Sequence, residues 1–83
     1  MKRRITQRPP VSATLLNALN GLYDAVFYAE SLPNRNREKA VIATATRVGL
    51  ALIAQDDTGY LYRDSDGRYV RGLWAGGFSD QIG

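Results

Sequence analysis

The sequence predicts a small α+β domain, an antiparallel two-helix hairpin followed by a two-stranded antiparallel β-hairpin, on three observations. Two stretches repeat apolar residues at helical spacing, Leu15, Leu19, Leu22 and Val26 in the first and Val41, Ala45, Val48 and Leu52 in the second. Pro33 separates them, and residues 60–74 alternate in character around Asp64-Ser65-Asp66-Gly67, where Asp-Gly is a β-turn signal. At 83 residues the chain is long enough for one domain and too short for two.

Residues 1–10 carry Lys2, Arg3, Arg4 and Arg8 with the Pro9-Pro10 pair and almost nothing apolar. That composition predicts a flexible basic arm outside the core, with the domain itself over residues 11–74. Ser12 is a preferred N-cap, and Val11 and Leu16 sit at the two positions of a hydrophobic staple. Leu16, Tyr23 and Phe27 widen the first stripe, and the helix is expected to stop near Ser31, because Pro33 lacks an N–H and disfavours helical geometry at Leu32.

Asn34 or Asn36 can cap the second helix, with Ile42, Gly49 and Ile53 beside its stripe. From residue 40 to residue 54 Arg47 is the only charged side chain, so this run reads as one buried helix, apolar or small on nearly every side. A helix pair this short cannot cover it. The excess is expected to meet the C-terminal segment or another subunit, giving a homodimer or higher oligomer with Val41, Ile42, Val48, Leu52 and Ile53 divided between the core and a subunit interface.

In the hairpin, a loop of two or four residues puts Thr58, Tyr60, Tyr62, Tyr69, Arg71 and Leu73 on one face. Leu61, Arg63, Arg68, Val70 and Trp74 then take the other, and a three-residue loop would break this sorting. Leu61, Val70 and Trp74 are expected against the helices and the tyrosine and arginine face outward. Residues 75–83 read as a glycine-rich tail with Phe78 and Ile82 as its anchors.

Composition excludes several chemistries. Without cysteine there is no disulfide, thiolate nucleophile or cysteine-ligated metal, and without histidine the commonest general base is absent. No stretch supplies the roughly 20 apolar residues of a membrane span, and polar Gln7 and Arg8 follow the basic start where a signal peptide turns apolar. A cytoplasmic protein is expected. Asp64-x-Asp66-Gly67 lacks the further acidic ligands of a calcium loop, and Gly76-Gly77 has no phosphate-loop context. Asp24 and Glu30 have no catalytic partner in view. No cofactor or metal site is expected, and the chain reads as no enzyme.

Two binding readings remain. Tyr60, Tyr62, Tyr69 and Arg71 are the residue types of protein interface hot spots, and the surrounding Asp56, Asp57, Asp64 and Asp66 would repel a phosphate backbone. The expectation is a small non-enzymatic protein-binding protein that covers a surface of a host or partner protein. In type alone, with no motif behind it, the chain resembles phage or plasmid accessory proteins that inhibit or modulate host factors. The alternative is a nucleic-acid-associated protein holding phosphates through Arg3, Arg4 and Arg8 of the arm and through Arg35, Arg37 and Lys39 at the start of the second helix. Arg35, Arg37 and Lys39 of neighbouring subunits could also converge on a small anion. A helix-turn-helix is disfavoured, because the second helix has no polar face to lay in a groove.

Overall fold

The computed structural model describes residues 10–31, 33 and 35–80. The elements run α1 (Ala13–Ala29), α2 (Arg37–Val48), β1 (Ala51–Asp56), β2 (Gly59–Arg63), β3 (Tyr69–Leu73) and β4 (Phe78–Ser79). The strands form one antiparallel meander in the order β1-β2-β3-β4. The α+β class is as the sequence predicts; the sheet has four strands where two were expected.

The helix starts follow local chemistry. Ser12 accepts a hydrogen bond from the backbone N–H of Leu15, and Asn36 accepts one from Lys39, each satisfying a donor that a helix start leaves free. Leu19, Tyr23 and Phe27, at steps of four, are the buried stripe of α1. In α2 the buried residues are Ala40, Val41, Thr44 and Ala45. The fully buried Thr44 hydroxyl donates to the Ala40 carbonyl at 2.7 Å. Val48, expected in that stripe, is exposed.

The apolar run from residue 40 to 54 is not one helix. α2 ends at Val48, and the Gly49 N–H closes its last turn on the carbonyls of Ala45 and Thr46. The rest of the run becomes β1. Its partner is supplied by the acidic break itself, where the Asp56 carboxylate accepts from the Thr58 N–H and hydroxyl at 2.8 Å and from the Gly59 N–H at 3.2 Å. A hairpin turn thus forms where the sequence reading placed only an interruption.

The register of β2 and β3 overturns the expected sorting of faces. Asp64 donates its N–H to the Arg68 carbonyl at 2.9 Å, and its carboxylate accepts from the N–H groups of Asp66 and Arg68. The loop is therefore the three residues 65–67, with Gly67 at φ 81°, the left-handed position that glycine fills in such a turn. An odd loop changes the parity of the pairing. Tyr62 stands opposite Val70 and Tyr60 opposite Gly72, so both tyrosines share the face of Val70, while Leu61 stands opposite Arg71. Val70 joins the core with the helices as expected, while Tyr62 joins it and Leu61 lies on the other face, each against its expectation.

Packing fixes which face is inner. A Cβ on Gly72 would run into the Val41 and Tyr62 side chains, so the bare backbone there lets α2 lie close on β3. Phe78, expected in a tail, is buried beside Tyr62, its ring centroid 6.3 Å away. The Asn20 side chain pins β4 to α1, accepting from the Phe78 N–H at 2.7 Å and donating to its carbonyl at 3.1 Å. The stretch from residue 75 thus supplies the last strand; residues 81–83, with Ile82, fall outside the described residues. Val11 is buried too, and its N–H donates to the Tyr69 carbonyl at 3.0 Å.

Candidate interaction surfaces

The expected tyrosine face divides between the two sides of the sheet. Tyr62 is only 5% exposed. Tyr60 is half-buried, its ring 4.7 Å from that of Trp74 in an edge-on contact, and its hydroxyl donates to the Glu38 carboxylate on α2 at 2.9 Å. That carboxylate raises the Tyr60 pKa, and burial raises that of Tyr62. Both rings serve the packing of helix on sheet. Tyr69 and Arg71 stay on the outer face, joined by Leu61, Arg63 and Leu73. The signal that could have found this set is Gly67, third of three turn residues, which favours the three-residue hairpin.

Arg71 is held in place. Its guanidinium donates to the Asp56 carboxylate at 2.7 Å and to the Thr58 hydroxyl at 3.1 Å. Asp56 is lowered from 3.8 to about 2, first by the Thr58 N–H and hydroxyl and then by Arg71. The result is a fixed cation beside Leu61 and Leu73, on the sheet face opposite the helices.

The basic corner is arranged for packing. The Arg35 guanidinium lies 5.3 Å from the Phe27 ring centroid and 5.1 Å from that of Tyr28, and Arg37 lies 5.0 Å from Phe27. Arg35 also donates to the Glu30 carbonyl at 3.4 Å. Two cations thus cover one aromatic ring where the helices meet. Lys39 is exposed, but its backbone N–H is taken by the Asn36 cap. Arg3, Arg4 and Arg8 lie outside the described residues.

The expected oligomer residues divide sharply. Val41 is in the core at 1% exposure, while Ile42 (40%), Val48 (40%), Leu52 (57%) and Ile53 (41%) are exposed. Every residue of β1 is exposed, and no described strand pairs with its outer edge. Between α2 and β1 runs a groove of about 220 Å³ lined by Ile42, Thr46, Leu50, Leu52 and Tyr60 among others. Sequence reasoning named Val41, Ile42, Val48, Leu52 and Ile53 and placed all five on one helix, whereas Leu52 and Ile53 lie on β1.

Comparison with known protein families, with curated proteins and with solved structures finds no match to this chain. Among the described residues no helix is long and apolar enough to cross a membrane.

Proposed function

We propose that the protein is a non-enzymatic binding module that covers a surface of a partner protein with the outer face of its sheet. The observation that supports this is the placement of both helices on the inner face. Arg63, Tyr69, Arg71 and Leu73 then lie on the face opposite the helices, around Leu61, which is itself 7% exposed. Aliphatic, aromatic and forked cationic groups on a rigid sheet are suited to a protein surface, since Arg71 is already ordered by Asp56 and loses little freedom on binding. Asp56 on this face and Asp64 and Asp66 at its turn work against a phosphate backbone, and Arg35 and Arg37 are engaged with aromatic rings. The nucleic-acid reading is therefore the weaker one. Such a module would inhibit or modulate the host or partner protein whose surface it covers.

The test is affinity capture from lysate of cells that carry the protein, comparing wild type with a Tyr69→Ala, Leu73→Glu variant of unchanged circular dichroism. A stoichiometric protein partner, lost with the variant, is the expected result. Capture that the variant leaves unchanged, or capture only of nucleic acid, refutes the reading.

A further inference from the structure

We propose that two copies of this chain associate through the outer edge of β1, antiparallel and about a two-fold axis near Ile53, joining their sheets into one of eight strands. The edge adjoins the outer sheet face and draws on Arg63 and Asp56 of that face, but the inference does not depend on that reading. Three observations on β1 carry it.

The first is the edge itself. β1 is six residues long, lies at the end of the sheet and presents unpaired backbone groups along its length. Exposed edges are ordinarily guarded by lysine, proline, shortness or a bulge, and of these β1 carries only the register shift between Leu52 and Ala54. Its sequence, Ala-Leu-Ile-Ala-Gln-Asp, is apolar over its first four positions. A six-residue edge of this kind is a template for another strand.

The second observation is charge, which selects the second copy as the occupant. Arg63 stands opposite Ala51 at the start of β1, while Asp56 ends it and Asp57 follows. A register shift between Leu52 and Ala54 puts Ala51, paired with Arg63, and Asp56, paired with Gly59, on the same outer face. Antiparallel pairing near Ile53 therefore brings Asp56 and Asp57 of the second copy to the end of β1 at Leu50 and Ala51, one strand from Arg63, and symmetry repeats the match at the other end. Parallel pairing in register would set acid beside acid. The strand edge is electrostatically complementary to itself in one direction only.

The third observation is the apolar surface beside the edge. Leu52 and Ile53 would pack across the axis on their counterparts, and the groove bounded by Ile42, Leu50, Leu52 and Tyr60 would join its symmetry mate in one trough. Six residues of one strand edge form the contact, where a standard interface takes roughly 20 to 30 residues a side, so the dimer is concentration-dependent.

The experiment is sedimentation equilibrium from micromolar to millimolar protein. Wild type is expected to move from the 9.2 kDa chain mass to twice that value. Ile53→Lys, at an exposed position, is expected to stay monomeric with unchanged circular dichroism. Arg63→Asp is expected to weaken the dimer several-fold, and Arg63→Asp combined with Asp57→Arg to restore it. A wild type of one chain mass at every concentration overturns the proposal, as does a dimer that Ile53→Lys leaves intact. A double reversal that fails to restore association overturns the antiparallel arrangement.

Discussion

Single residues show how far identity predicts role. A tyrosine has an apolar body and a polar tip, so by identity it suits a wet interface or a core with a partner for its hydroxyl. Tyr62 takes the second role. Tyr62→Ala is expected to lower the unfolding free energy in urea by about 3 kcal/mol, through lost burial and the cavity left behind. Tyr28→Ala, at a side chain 66% exposed, is expected to change it far less. Asp56 makes a pH prediction. Its folded pKa, about 2, lies below the ordinary 3.8, so its contribution is present above about pH 4 and lost as pH falls toward 2. Thermal unfolding between pH 5 and 2, roughly the window in which such a carboxylate titrates, should show a shallower fall in Tm for Asp56→Asn than for wild type. Equal slopes would mean the Thr58 and Arg71 contacts contribute nothing. Tyr60 and Tyr62 are raised, so what they contribute is present below about pH 10 and lost at still higher pH.

At the scale of elements, short-range signals were reliable and long apolar runs were not. Ser12 and Asn36 cap the two helices, and α1 stops just before the Leu32-Pro33 pair, because capping and proline sterics act within about four residues of the chain. The run from residue 40 to 54 satisfied a helical stripe and equally a helix followed by a strand, since periodicity alone does not separate these for short apolar segments. Gly49 and the Asp56 turn decided it. The face of the hairpin rests on the parity of one loop. Gly67→Ala puts a Cβ into a left-handed position and is expected to cost roughly 1 kcal/mol in chemical denaturation, with the pairing of Tyr62 and Val70 preserved. Loss of the cross-strand contacts between those residues in NMR spectra would show that the turn alone holds the register.

For the whole molecule the outer sheet face and the β1 edge meet at Arg63 and Asp56 but centre on different residues, and variants at Tyr69 and Leu73 and at Ile53 should separate them. Tyr69→Ala with Leu73→Glu is expected to remove partner capture without changing the mass in solution, and Ile53→Lys to remove the dimer while retaining partner capture. Analytical ultracentrifugation and capture on the same preparations check both. If either variant abolishes both properties without unfolding, the two faces form one site. The sequence by itself determined the helix starts, the break at Pro33, the α+β class and the absence of cysteine and histidine chemistry. All of these depend on composition or on neighbours along the chain. Only the tertiary structure decided that the apolar run splits into α2 and β1, that Tyr62 and Phe78 are core, and that Leu61 faces away from the helices. Those outcomes turn on which register and which contacts between distant residues bury the most apolar surface with the buried backbone groups paired. No local pattern carries that sum.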